Sequence, residues 1–98
     1  MGNELEMRLK DVCKDLVLQL RGNQGEYSNA IELLHSYLDS YKSSIRNDDM
    51  VSKELVGILL YTCNRFYVQS KYSKNHKELL KEFDKFNSKL YDIFNVGG

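Results

Sequence analysis

Residues 51–68, VSKELVGILLYTCNRFYV, decide how this chain folds. Apolar side chains in this stretch cover most of a helical wheel, so one neighbouring helix cannot bury all of them. A membrane-spanning helix needs roughly 20 predominantly apolar residues, whereas Lys53, Glu54 and Arg65 interrupt this run. We therefore expect the stretch to form the central helix of a small bundle, with other helices packed on more than one side.

The composition fits a small helical domain that spans residues 1–98. The chain has no proline, 42% apolar residues and 29% charged residues, which favours long helices over a sheet. Its formal net charge is zero and its pI is about 6.7, which argues against nucleic-acid binding. The charge is nevertheless uneven, because the first 49 residues sum to −3 and the rest to +3.

Apolar residues recur at helical spacing in the other parts of the chain as well. The most regular stripe, with the alternating steps of a heptad pattern, is Tyr27, Ile31, Leu34, Leu38, Tyr41 and Ile45. Together the stripes predict helices over residues 4–21, 27–45, 50–70 and 76–94. Short turns between them make successive helices antiparallel. The predicted fold is all-α, an antiparallel up-down-up-down four-helix bundle.

Several residues are predicted to shape the helix ends. Asn3 and Asn75 each precede a glutamate by three positions, as in a capping box, and Asp48 or Asp49 is expected to cap the third helix. Gly57 falls inside that helix, where glycine costs roughly 1 kcal/mol relative to alanine. We expect close approach of a neighbouring helix to explain this glycine.

The residues that usually carry catalysis or bind metals are sparse. Cys13 and Cys63 border apolar stripes and are expected to be buried, reduced thiols. His35 and His76 have no partners at ligand spacing, so neither a metal site nor a cofactor is expected. The chain also lacks a glycine-rich phosphate loop and an HExxH motif, and we expect it not to be an enzyme. Its first residues lack the apolar core of a secretory signal, which favours a cytoplasmic location.

A row of lysines is the most prominent charged feature. Lys77, Lys81, Lys85 and Lys89 recur every four residues, with acidic residues between them. One interpretation is a solvated face supported by the pairs Glu78–Lys81, Glu82–Lys85 and Lys89–Asp92. The other is a docking face for an acidic surface or for the anionic inner leaflet of a membrane.

Tyrosines are the second feature, with Tyr61, Tyr67, Tyr72 and Tyr91 on or beside the last two helices. Tyrosine suits both core edges and binding surfaces, so these residues indicate either a core edge or an aromatic pocket between the third and fourth helices. The candidate binding residues, which lie on the third helix, the fourth helix and the turn between them, are Arg65, Tyr67, Tyr72, Lys74, Lys77, Lys81 and Lys85.

Residues 27–94 resemble the pediocin-like (class IIa) bacteriocin immunity proteins, the enterocin A immunity family. The residues that carry the resemblance are Tyr27-Ser28, Ile31, Leu34, Leu38 and Tyr41, then Leu55-Val56, Leu59-Leu60 and Tyr61, and finally Glu78-Leu79-Leu80. Several members have a longer tail after the fourth helix than this chain has.

The resemblance implies a cytoplasmic protein that protects a cell from such a bacteriocin. Family members are thought to recognise, at the inner face of the membrane, a permease of the mannose phosphotransferase type to which bacteriocin is bound, and to keep the pore closed. The C-terminal half of the family tends to set which bacteriocin is resisted. In this chain that half holds the lysine row and most of the candidate residues.

The alternative is a generic helical protein–protein interaction module, such as an adaptor that dimerises through its second helix, because the heptad stripe there is suited to a second chain as well as to a core. A monomer is the expected state under the immunity hypothesis.

Overall fold

The computed structural model describes residues 2–22, 27–45 and 51–94. The chain forms an all-α four-helix bundle, as predicted. Its helices are α1 (Gly2–Gly22), α2 (Ser28–Ser44), α3 (Lys53–Ser70) and α4 (His76–Ile93). No strand occurs among the described residues.

Three of the four helix starts differ from those predicted, whereas α4 begins at His76 as predicted. α3 begins at Lys53 rather than at Met50, because the Ser52 side chain accepts a hydrogen bond from the Leu55 N–H at 3.2 Å and caps the helix. Asp48 and Asp49 lie outside the described residues. The predicted capping box at Asn75 is wrong, since its side chain makes no capping hydrogen bond. α1 begins at Gly2, ahead of Asn3, and the side chain of Asn3 lies outside the described part of the chain.

Cross-helix contacts establish the helix directions. Lys10 of α1 pairs with Glu54 of α3, and further along both helices Arg21 bonds to the Tyr61 hydroxyl at 3.2 Å, so α1 and α3 are parallel.

α2 and α4 are also parallel, since contacts run in the same order from His35–Glu82 to Lys42–Asp92. Phe66 of α3 contacts Phe86, and the next residue, Tyr67, contacts Phe83, which comes earlier in α4. α3 and α4 are therefore antiparallel. The bundle is therefore up-down-up-down.

The order of helices around the bundle is not their order in sequence. α1 packs against α2 and α3, α3 packs against α4, and α4 meets α2 along a sparser seam. Within the described ranges, α2 shares no backbone contact with α3, nor α1 with α4. The consecutive helices α2 and α3 thus occupy diagonal corners.

The predicted stripes of α1, α2 and α4 form one core. Its largest fully buried side chains include Leu9, Leu16, Leu34, Leu38, Tyr41, Leu79 and Phe86. The heptad stripe of α2 belongs to this core: Ile31 is only 8% exposed, and Tyr27 and Ile45 are partly buried against it. This stripe is therefore not available to a second chain, contrary to the dimer alternative.

α3 was expected to be the central helix of the bundle, with other helices packed on more than one side, and only the second part of that expectation is confirmed. It does pack on two sides, against α1 and α4. Leu60 and Tyr61, however, are 58% and 48% exposed, because α3 occupies a corner of the bundle. Gly57 is exposed too, and no neighbouring helix or side chain of the described residues lies within 4 Å of where a Cβ would be. The predicted close approach at Gly57 is wrong.

Candidate partner-binding face

The turn between α3 and α4 presents an exposed tyrosine on an ordered backbone. The Lys71 N–H donates to the Val68 carbonyl at 3.2 Å, and the Tyr72 N–H donates to the Gln69 carbonyl at 3.0 Å. These bonds continue the last turn of α3 and hold Tyr72 at its end. The Tyr72 side chain is 78% exposed. A tyrosine side chain on an ordered backbone offers contact area at little cost in conformational entropy, because it has only two χ angles to fix.

Four of the predicted lysines are exposed beside that turn. Lys74, Lys77, Lys81 and Lys85 are all exposed and form no ion pair with a described carboxylate. We call Tyr72, Lys74, Lys77 and Lys81 the basic turn face. From Lys71 to Lys81 the chain carries a single acidic residue, Glu78. The face is therefore locally positive, although the whole chain has no net charge.

The predicted ion pairs within α4 are wrong. Glu82 lies against His35 of α2, at 3.6 Å from its Nε2, and Asp92 pairs with Lys42 of α2. Lys89 reaches Asp39 of α2 at 3.1 Å. These charges join α4 to α2 instead of pairing along α4, so Lys89 does not belong to the free basic row.

The candidate Tyr67 lies on the outer seam between α3 and α4. Its ring is 41% exposed and tilted by 50° against Phe83, with 5.4 Å between ring centroids. The Lys71 ammonium sits 4.8 Å above the Tyr67 ring, within the range of a cation–π contact. Tyr67 thus contacts both Lys71 of the turn and Phe83 of α4.

Arg65 and Tyr61 do not join this face. Tyr61 bonds to Arg21 of α1, and Arg65 follows one turn later on the same side of α3. The Nε of Arg65 is buried and has no hydrogen-bond partner among the described groups. The structure therefore divides the candidate residues: Arg65 faces the α1 side, and the other six lie on α4, its turn or the α3–α4 seam.

Sequence reasoning missed the seam between α2 and α4. A groove of about 1270 Å³ runs along it, with His35, Glu82, Lys85 and Lys89 among its walls. Burial lowers the pKa of His35, Lys89 and Lys85 act in the same direction, and Glu82 opposes them. The sequence signal was that His35 follows the buried stripe residue Leu34.

Both cysteines are buried, as predicted. Burial raises the pKa of the Cys13 thiol to about 11, and a hydrogen bond with Thr62 opposes the shift only in part. Burial also raises the pKa of the Cys63 thiol to about 11. Neither thiol is therefore a nucleophile at neutral pH. In the described part of the chain, His, Cys, Asp and Glu side chains form no group that could hold a metal ion.

None of the described helices is both long and apolar enough to cross a membrane. No protein-family model, curated protein or solved structure matches this chain.

Proposed function

We propose that this chain is a bacteriocin immunity protein that acts by binding and not by catalysis. It protects the cell from a pediocin-like bacteriocin by binding, from the cytoplasmic side, a permease of the mannose phosphotransferase type that bacteriocin has engaged. The basic turn face is the binding surface, and contact with the inner leaflet accompanies it.

The observation that carries this proposal is the unpaired positive charge around Tyr72. Lys42 and Lys89 pair with carboxylates across the α2–α4 seam, whereas Lys74, Lys77 and Lys81 are exposed and unpaired within the described residues. Exposed charge that stabilises nothing internally is available to a partner, where it steers association and selects an acidic surface. The resemblance of residues 27–94 to the immunity family supplies the identity of that partner.

A protection assay tests the function. The chain is expressed in a bacteriocin-sensitive strain, which is then challenged with a panel of pediocin-like peptides. We expect resistance to one or a few peptides. Full sensitivity to the whole panel, with folded protein confirmed in the cells, would reject the immunity function.

Charge reversal then tests the face. Lys77→Glu with Lys81→Glu should abolish protection, because it replaces two of the unpaired positive charges by negative ones. Helical circular dichroism and the melting temperature should stay near the wild-type values. Lys85 is kept, since its charge acts on His35.

A second double variant controls for the change in net charge. Arg8→Glu with Lys53→Glu makes the same charge change at exposed positions of α1 and α3, outside the basic turn face. It removes one exposed ion pair, Arg8–Glu4, and a pair of this kind contributes little to stability. We therefore expect this variant to fold and to protect the cell. Equal protection by both double variants would exclude the basic turn face.

A further inference from the structure

An apolar groove on a different side of α3 is not used by the proposed function. It lies between the parallel helices α1 and α3, and its volume is about 340 Å³. Val17, Ile58 and Tyr61 line its sides, and Cys13 and Thr62 lie at its base. Cys13 and Thr62 are 0% and 1% exposed, so the groove reaches down to the core.

The apolar surface continues beyond the groove. Leu18 on the α1 rim is 65% exposed, and Tyr61 on the α3 rim is 48% exposed. Gly57 lies one turn before Tyr61 on α3, and no group among the described residues fills the space above it. Exposed apolar side chains beside an apolar groove are typical of an interaction site.

Positive charge borders this surface. Lys14 lines the groove, Arg21 reaches the Tyr61 hydroxyl, and Arg65 follows Tyr61 by one turn. None of these three cations forms an ion pair with a described carboxylate. Glu54 pairs with Lys10 and is also acted on by the charge of Lys14, and the exposed Asp11 and Asp15 of α1 form no described ion pair. The unpaired positive charge is therefore concentrated at the Arg21 and Arg65 end of the groove.

We propose that the α1–α3 groove binds an amphipathic helix of a partner protein, with acidic residues flanking its apolar stripe. Two parallel helices form a trough that a third helix fills with apolar residues spaced by three and four. Gly57 leaves room for the backbone of that helix to come close. Acidic side chains beside its stripe would meet Lys14, Arg21 and Arg65.

The depth of the groove favours a helix over a lipid surface. A protruding side chain of a helix can reach the level of Cys13 and Thr62, whereas a bilayer meets mainly the exposed rims. The rims also lie on the α1 side of α3, away from the basic turn face, so the two surfaces are separable by mutation.

Designed peptides titrated into the ¹⁵N-labelled full chain test the proposal. The probe is a helix of about 18 residues, or five turns, with a leucine stripe flanked by glutamates. A second peptide keeps the stripe and replaces every glutamate by lysine, and a third keeps the glutamates and replaces the leucines by serine. We expect saturable amide shifts around Lys14, Leu18 and Tyr61 with the first peptide, and binding at least about tenfold weaker with the other two.

Leu18→Ser and Lys14→Glu should each weaken binding of the acidic leucine peptide by about tenfold. Two matched controls make the same changes at exposed positions away from the groove, Leu33→Ser on α2 and Lys77→Glu on the basic turn face. Both controls should bind the peptide as the wild type does. Circular dichroism checks that every variant is folded.

Four results would overturn the proposal. They are no saturable shifts at about 1 mM peptide, equal binding of the acidic and basic peptides, shifts confined to the basic turn face, and unchanged binding by both groove variants. Dimerisation in light scattering that Leu18→Ser abolishes would assign the groove to a second copy. Sedimentation with phosphatidylglycerol vesicles that Leu18→Ser abolishes would assign it to a bilayer.

Discussion

The imidazole Nε2 of His35 lies 3.6 Å from a carboxylate oxygen of Glu82, and this contact joins α2 to α4. These two helices have the sparsest interface of the bundle, and charged side chains provide much of it. The His35 side chain is only 20% exposed, and its Nδ1 has no hydrogen-bond partner among the described groups. The α2–α4 seam therefore holds a titratable histidine, and burial and the neighbouring charges shift its pKa.

The stability of the fold should decrease as the pH falls through this histidine's titration. Burial lowers the pKa of His35 in the folded chain, so the unfolded chain binds the proton more readily. The contribution of His35 to the free energy of unfolding is complete above the ordinary histidine pKa of about 6.5. It is lost as the pH falls from there through the lowered folded-state pKa. Urea unfolding between pH 7.5 and pH 5 measures this loss.

His35→Gln should flatten that pH profile. His76→Gln is the matched control, because the His76 side chain is exposed, and it should keep the wild-type slope. The lower limit of pH 5 keeps the carboxylates largely ionised. A wild-type slope in His35→Gln would mean that another group controls stability in this range.

Two adjacent leucines of α3 should differ widely in their contribution to stability. Leu59 is 0% exposed in the core, whereas Leu60 is 58% exposed. Leu59→Ala should cost about 2–5 kcal/mol through lost burial and a new cavity. Leu60→Ala should change the free energy of unfolding by no more than about 0.5 kcal/mol. Chemical denaturation of both variants measures the difference, and similar losses would contradict the assignment of the buried face of α3.

Gly57→Ala should stabilise the protein by about 1 kcal/mol. Alanine reduces the conformational freedom of the unfolded chain, and its Cβ would meet no neighbouring helix or side chain within 4 Å in the part of the chain that the structure describes. Asn64→Ala, at another exposed position of α3, should give a smaller gain. Thermal or urea unfolding compares them. A destabilised Gly57→Ala variant would show that a neighbouring group does occupy that space.

Neither thiol should react readily in the folded protein. With a pKa of about 11, the Cys13 and Cys63 thiols are ionised at pH 8 in roughly one molecule per thousand, and both are buried. Labelling with a chromogenic disulfide at pH 8 should be slow in buffer and complete rapidly in strong denaturant. Rapid labelling of the native protein would indicate frequent local opening around α1 and α3.

The candidate binding face was predictable in part, for a local reason. Lysines at every fourth position share a face of any helix, so the exposure of Lys77 and Lys81 follows from the sequence. The sequence does not show which lysines remain unpaired, because Lys89 pairs with Asp39 on a helix that is distant in sequence. Arg65 and Tyr67 were assigned to the same face, although two residues along a helix differ in direction by about 200°.

The sequence by itself determined where the four helices lie and which face of α1, α2 and α4 is buried. The stripe that contains Leu34 and Leu38 can be buried on only one side of a helix, so periodicity is sufficient there. Periodicity predicts no single buried side for α3, because its apolar residues point in too many directions.

Tertiary structure decided which helices are neighbours. That arrangement in turn decided which sides of α3 are buried and which charged side chains meet across the helices. With α2 and α3 at diagonal corners, α3 buries the sides that face α1 and α4 and leaves Gly57 and Leu60 exposed. The same arrangement brings His35 to Glu82 and Lys42 to Asp92. The physical reason is that burial is non-directional, so apolar stripes specify a core without specifying the order of the helices around it.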